Sequence, residues 1–417
     1  MQRNPITAAE SPSPTQEIVE TPEPASEGGL RRVYGERPFQ TLWATDPDGS
    51  GLFSGSLVPA PPCPVRLLVD TRRTGTSYQT RSAAIPSECP LQTQRARGTG
   101  PSFIVISPLS FRFRRHERHM EIAIAGSTGL VGSALVRALK AGGHKVRRLV
   151  RSDNELGADN ILWNSRQGIR DLYRLEGIDA FVNLSGESIA GGRWTPSRMR
   201  DIQRSRVDAT RMLVDRVGRL QKKPSVFINA SAIGYYGDRG DEVLNEKSGP
   251  GDGFLPEVVQ AWESEASRAR AKGMRLVCTR FGIILSGNGG ALVKMLPPFR
   301  MGIGGKLGSG RQWMSWVSLT DAINAILHAI EKTELEGPVN VVAPTPVSNA
   351  EFTRVLAGVL WRPALFPVPA AALKLMMGQM AEELLLASQR VLPGELERTG
   401  FQFTHQGLEG ALRAALL

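Results

Sequence analysis

The chain changes character near residue 120. From Glu121 onward, short apolar runs alternate with stretches whose apolar residues recur at helical spacing. The pattern predicts strands at 121–125, 145–150, 161–163, 180–184, 226–230 and 275–281, with helical segments between most of them. Continuous apolar runs are what parallel strands show when both faces are covered. The alternation therefore predicts an α/β fold, a doubly wound parallel sheet covered by helices on both faces, over 120–345. Residues 346–417 read as a smaller, mostly helical module that helps bury the main domain. There 374–389 is rich in Leu, Met, Ala and Glu, a turn falls at Pro393-Gly394, and a last helix over 407–416 aligns Leu408, Leu412 and Leu416 on one face.

Residues 1–119 lack this periodicity. They hold 14 Arg, no Lys and 11 acidic residues among dense Pro, Ser and Thr, as in Ser11-Pro12-Ser13-Pro14-Thr15. A short strand at 103–106 is the one candidate element, and Pro108 soon follows it. Such a composition buries too little apolar surface to offset chain entropy, which predicts a disordered N-terminal extension. Three origins fit it: a regulatory tail, an organellar transit segment, or upstream sequence translated from a misplaced start. Met120, directly before the first clear strand, favours the last, and the acidic residues oppose the second.

The strand at 121–125 leads into Gly126-Ser127-Thr128-Gly129-Leu130-Val131-Gly132 and then a helical pattern through Ala134, Leu135, Ala138 and Leu139. In strand–turn–helix context, three glycines spaced in this way are a dinucleotide-binding turn. Gly126 allows the sharp exit from the strand, Gly129 lets a diphosphate approach the backbone, and Gly132 lets helix and strand pack closely. The helix start supplies free amides and partial positive charge. Where an NAD-binding chain carries an acid for the ribose 2′-hydroxyl, the second strand here ends Leu149-Val150-Arg151-Ser152. The planar fork of Arg151 suits a 2′-phosphate, with Arg147 and Arg148 nearby, so NADP(H) is expected in preference to NAD.

Further motifs follow: Asn183-Leu184-Ser185-Gly186-Glu187; Gly192-Arg193-Trp194; Ser205-Arg206-Val207; Ala230-Ser231-Ala232-Ile233-Gly234-Tyr235-Tyr236-Gly237; Thr279-Arg280-Phe281-Gly282; and Gly310-Arg311-Gln312-Trp313-Met314-Ser315-Trp316-Val317. With the glycine turn, they make residues 120–417 resemble the atypical extended short-chain dehydrogenase/reductases known as the epimerase family, or nucleoside-diphosphate-sugar epimerase-like proteins. Ser388-Gln389-Arg390-Val391-Leu392-Pro393 and Gly400-Phe401-Gln402-Phe403 resemble the domain of unknown function that closes those proteins. The resemblance implies a Rossmann domain over 120–345 with a smaller, mostly helical C-terminal lobe on the substrate side over 346–417, and that Leu184, Ser185, Gly186 and Glu187 leave the fourth strand beside the cofactor. It places Arg206 on the next helix, where ordinary extended members often carry Asn. Ser231 takes the place of the catalytic serine.

The catalytic pattern departs from the superfamily. Ordinary members use a Tyr and a Lys four residues later, the Lys lowering the Tyr pKa for proton exchange during hydride transfer. No Tyr-x-x-x-Lys occurs in this chain. Two replacements are open. Tyr235 or Tyr236, close to Ser231, can donate a proton with Arg206 or the cofactor ribose assisting, or Glu187 or Glu263 can act as acid or base. Packing over the cofactor is the competing reading of the tyrosines, and core packing that of Trp194, Trp262, Trp313 and Trp316, which can instead line a substrate pocket. The first functional expectation is an NADP(H)-dependent oxidoreductase or epimerase-like enzyme acting on a small polar substrate. The second is an NADP(H)-binding regulatory or partner-binding protein without turnover.

Charge and composition trim the remaining options. The net charge is +11, but its 41 Arg and 10 Lys are spread along the chain without an aromatic-interleaved basic stripe. A basic protein drawing anionic ligands is expected, with no nucleic-acid partner. Three scattered cysteines offer neither a disulfide framework nor a zinc site, which fits a reducing, cytoplasmic setting. No apolar run reaches membrane-spanning length, no secretory signal is present, and no metal site is expected. Gly304-Gly305-Lys306 lacks the flanking residues of a P-loop, having Arg300 and Leu307 instead, and reads as a flexible loop near the substrate mouth. A homodimer stays open.

Overall fold

In the computed structural model the described residues are 119–152 and 157–417, together with the backbone of five short strands nearer the N-terminus. The chain divides into two units, Met1–Arg115 and His116–Leu417. In the first, Arg31–Arg32, Thr41–Thr45 and Leu52–Ser56 form an antiparallel sheet, and Leu91–Arg95 pairs antiparallel with Ile104–Pro108. The last of these takes in most of the strand weighed at 103–106. The other four strands also fall within the extension expected to be disordered. The rest of the disorder expected over 1–119 lies outside the described residues.

In the second unit, β1 (Glu121–Ala125), β2 (Lys145–Val150), β3 (Asn160–Asn164), β4 (Gly168–Ile169), β5 (Ala180–Asn183), β6 (Val226–Ala232), β7 (Arg275–Phe281) and β8 (Gly337–Val341) form one sheet. Its order is β8-β7-β6-β5-β1-β2-β3-β4, and every pairing is parallel except β3 with β4. Alternate side chains of each strand feed opposite layers. Ile122 and Ile124 pack with Leu135 and Leu139 of α1 (Leu130–Ala141) and with Ala322 and Ile326 of α5 (Leu319–Glu331). Ala123, Phe181 and Phe227 pack with Leu213 and Val214 of α2 (Pro196–Val217) and Ala266 of α3 (Phe254–Ala271). Covering both faces is why the strands read as unbroken apolar runs. All six expected strands form, with ends shifted by a few residues at most. The sheet also gains β8, whose apolar run is interrupted by Pro338 and Asn340.

A third core joins α4 (Gly290–Arg300), α6 (Asn349–Leu360) and α8 (Leu408–Leu416) through Leu292, Leu296, Phe352, Leu356, Leu408 and Leu412. The helical stretch expected over 374–389 is broken. Helix α7 (Ala370–Met377) stops at Gly378, whose φ of 61° is the left-handed region that glycine enters without steric cost. The Gly304-Gly305-Lys306 segment, expected as a loop, lies outside helix and strand. Gly304 and Gly305 are buried, Phe366 N donates to Gly304 O, and Val368 N donates to Lys306 O at 2.9 Å.

Candidate functional site

The connections leaving β1 and β5 run to opposite sides of the sheet, so the carboxyl ends of these neighbours open a crevice. The glycine turn lies there. Gly126 (φ 80°) takes a conformation that side chains resist, and a β-carbon on it would stand 2.6 Å from the Leu184 backbone. At Gly132 a β-carbon would meet Gly126 O at 2.1 Å, so α1 can sit this close to β1 only with glycine. At Gly129 the nearest atom would be 3.4 Å away, and the residue is exposed. No side chain caps α1, whose first amides are therefore available to an outside acceptor. An open approach, an exposed turn and an uncapped helix start fit a dinucleotide diphosphate.

Around this turn the other expected residues separate by role. Thr128 is exposed, and Ser127 is buried, its hydroxyl accepting from Arg148 Nε at 3.3 Å. Leu130 packs its side chain against Gly289 and Gly290, and Val131 packs on the sheet core. Arg151 and Ser152 are exposed at the end of β2. Arg147 turns the other way, onto Glu121 and Asp159.

The loop leaving β5 is held from below. Asn183 Nδ2 donates to Thr210 Oγ1 at 2.9 Å and Asn229 Oδ1 at 2.8 Å, while its own Oδ1 accepts from Ser185 N at 3.2 Å. Trp262 Nε1 donates to the same threonine at 2.8 Å. Arg206 donates to the Glu187 carbonyl at 2.9 Å and lies against Gly186. Burial pulls its pKa down to about 10, against the opposing pull of Glu187. The Glu187 carboxylate faces Arg198 at 3.4 Å.

At the end of β6, Ser231 Oγ donates to Glu263 Oε1 at 2.6 Å. Glu263 is on α3, the helix where the usual Tyr would stand. Arg280 of β7 grips the same carboxylate with two bonds, Nε to Oε1 at 2.8 Å and a terminal nitrogen to Oε2 at 2.7 Å. Its other terminal nitrogen donates to the Tyr236 hydroxyl at 3.0 Å, and its guanidinium stacks 3.5 Å over the Tyr235 ring. Tyr236 is 0 % exposed, with Asn340 Oδ1 at 2.8 Å and Asn245 O at 3.0 Å as acceptors, and burial pushes its pKa up. The structure thus brings Ser231, Tyr235, Tyr236 and Glu263 together around Arg280 and sets Glu187 apart from them. Sequence reasoning gave Arg280 no role. The available signal was a cation inside a buried strand, which demands a partner.

A cavity of about 130 Å³ opens beside the turn after β6, between Gly234, Asp238, the start of α3 at Leu255 and Pro256, and Glu383 and Gln389 of the C-terminal region. Glu383 accepts from Phe254 N at 3.1 Å and Leu255 N at 2.7 Å, capping α3 from a distance in sequence. Trp194, Trp262 and Trp316 are buried, each with its indole N–H satisfied inside the protein; Trp313 is part-exposed and donates to Asp241. Among the described residues no group of side chains is arranged to hold a metal, and no helix is long and apolar enough to cross a membrane. Cys278 is buried, and burial pushes its thiol well above the ordinary range.

A doubly wound parallel sheet with a glycine turn at its switch point defines a Rossmann-fold protein. Residues 122–342 match the NAD dependent epimerase/dehydratase family, and residues 368–415 match a domain of unknown function, DUF1731. Epimerase family protein Mb2239 of Mycobacterium bovis is 42% identical over 291 residues, which cover 70% of this chain and 96% of the relative. The human epimerase family protein SDR39U1, solved with NADPH, is 32% identical with a TM-score of 0.66, over 71% of this chain and 99% of that one. A nucleoside-diphosphate sugar epimerase from Corynebacterium glutamicum is 30% identical with a TM-score of 0.63, over 93% of this chain and 82% of that one. The chain belongs to the NAD dependent epimerase/dehydratase family.

Proposed function

We propose that this protein is an NADP(H)-dependent oxidoreductase or epimerase-like enzyme in which Ser231 and Glu263 handle the proton that a Tyr–Lys pair handles in ordinary relatives. The observation that carries it is the 2.6 Å bond from Ser231 to a carboxylate already fixed by two bonds from Arg280. The diphosphate would rest on Gly126, Ser127, Thr128, Gly129, Leu130, Val131 and Gly132, with Leu184, Ser185, Gly186 and Glu187 alongside. Arg206 supports that loop from beneath. Arg151 and Ser152, exposed at the end of β2, would take the 2′-phosphate of the adenosine ribose, and the NADPH in the human relative's structure favours the same cofactor here. Bound NADP(H) supplies or accepts a hydride.

Ser231 commits its hydrogen to Glu263, so its lone pairs are free to accept from a substrate hydroxyl. In the oxidising direction that hydroxyl passes its proton to Ser231 Oγ while the serine's own proton moves to Glu263 Oε1; reduction runs the transfer backwards. Arg280 fixes the carboxylate, and Tyr235 and Tyr236 fix Arg280. The small cavity between the β6 turn and the C-terminal region offers room for a small polar substrate. A second reading, a cofactor-binding regulator without turnover, draws on the complete burial of Tyr236.

Titration with NADPH and NADH, followed by NADPH oxidation against a carbonyl panel, separates the two. Ser231→Ala and Glu263→Gln should each lower kcat by about 10²–10⁴-fold, with NADPH affinity kept. Tight NADPH binding with no turnover across the panel selects the regulator. Arg151→Asp should reverse the cofactor preference; an unchanged preference removes Arg151 from the site.

A further inference from the structure

The last core of the fold carries a surface that the catalytic reading does not use. Helix α6 ends on Trp361, which caps it with φ 54° through Trp361 N to Gly358 O and Arg362 N to Ala357 O. Trp361 is the one non-glycine residue with positive φ among the described residues, a conformation disfavoured for a bulky side chain, and it is 83 % exposed. Leu365 and Phe366 follow it, also exposed, and Phe366 N donates to Gly304 O, which brings exposed Met301 and Ile303 alongside. Beside them opens the larger of the two cavities described here, about 390 Å³, with Thr353, Ala357, Leu365 and Pro367 in its lining and the cations Lys306 and Arg354 among them.

Cations dominate the chain around this patch, with Glu351 one turn before Arg354 on α6 and Lys374 paired with Glu382 at 2.8 Å. Residues 286–320 and 352–381 hold Lys294, Arg300, Lys306, Arg311, Arg354, Arg362 and Lys374 and no acidic residue. Among the described residues Arg300, Lys306, Arg354 and Arg362 form no ion pair. Isolated exposed apolar residues are ordinary, but a contiguous group rimmed by unpaired cations marks a contact surface. Exposed Trp beside Arg is also the composition of interface anchors.

We infer that this face docks an acidic, amphipathic segment of another protein, with one large apolar side chain seated in the cavity and carboxylates meeting Lys306 and Arg354. A second copy of this chain is the wrong occupant: a two-fold contact would set these cations against themselves. A lipid surface suits the cavity less, since a concave depression takes an inserted side chain, whereas membrane-lying helices present a continuous apolar face.

The test pans a random-peptide display library against the full chain, then measures synthetic versions of the enriched peptides by fluorescence anisotropy. The enriched sequences should pair acidic residues with Trp, Phe or Leu. Their affinity should fall at least about tenfold in Trp361→Ala and in Lys306→Glu/Arg354→Glu, with melting temperature and NADPH binding unchanged. Affinity should also fall as salt rises. Enrichment without acidic character, or binding indifferent to these variants, overturns the inference. So does Trp361-dependent dimerisation in sedimentation, or Trp361-dependent binding to phosphatidylcholine–phosphatidylserine vesicles in the absence of peptide binding.

Discussion

Gly132 shows how a single missing atom sets the nucleotide turn. A β-carbon there would lie 2.1 Å from Gly126 O, far inside contact distance, so Gly132→Ala must push α1 away from β1. We expect a loss of about 1–3 kcal/mol in stability by denaturant unfolding, together with an NADPH affinity lowered by at least about tenfold in the same preparation. Arg280 makes the complementary case for charge. Its three nitrogens serve Glu263 and the Tyr236 hydroxyl while its plane covers Tyr235, so its geometry is fully specified although it is 3 % exposed. Ser231 could be picked out through the family resemblance, and Glu263, with Glu187, as one of two spare carboxylates. Their pairing could not, because it depends on α3 and β7 meeting at the end of β6.

Among the elements, those with unbroken apolar runs were legible and those held by polar contacts were not. β1 declares itself with Ile122-Ala123-Ile124-Ala125, all buried, whereas β8 offers only Val339 and Val341, interrupted by Pro338 and Asn340. Gly378 hid in a segment whose Leu, Met and Ala content promised one helix. Helix α5 illustrates a contact invisible in sequence. Asp321 in its first turn is 1 % exposed and accepts from Thr404 N at 2.7 Å and His405 N at 2.9 Å, tying the stretch before α8 to the sheet layer. Asp321→Ala leaves both amides without their charged acceptor, and we expect about 3 kcal/mol of destabilisation. Chemical denaturation would check the value, and Asp321→Asn should recover part of it.

For the whole molecule, the C-terminal region is joined to the sheet through a half-buried carboxylate with its own pH signature. Glu246 Oε1 accepts from Asn340 N of β8 at 3.0 Å and from Glu395 N at 3.1 Å. Burial raises its pKa above the ordinary 4.5, outweighing those two bonds. The folded chain thus holds a proton that the unfolded chain releases. The stabilisation linked to that proton is complete below pH 4.5 and is lost as pH rises through the elevated folded value. Glu246→Gln should flatten this segment of the stability–pH curve, measured by thermal melts in overlapping buffers; an unchanged slope would assign the dependence elsewhere. The reach of Glu383 has a different consequence. It supplies the acceptor for the opening amides of the helix that bears Glu263, a service Gly253 at that helix start has no side chain to perform. Glu383→Ala would leave those two amides without their acceptor and slacken the scaffold that holds Glu263 against Ser231. The fold's last quarter thereby steadies, from far along the chain, the groups to which the proposed reaction is assigned.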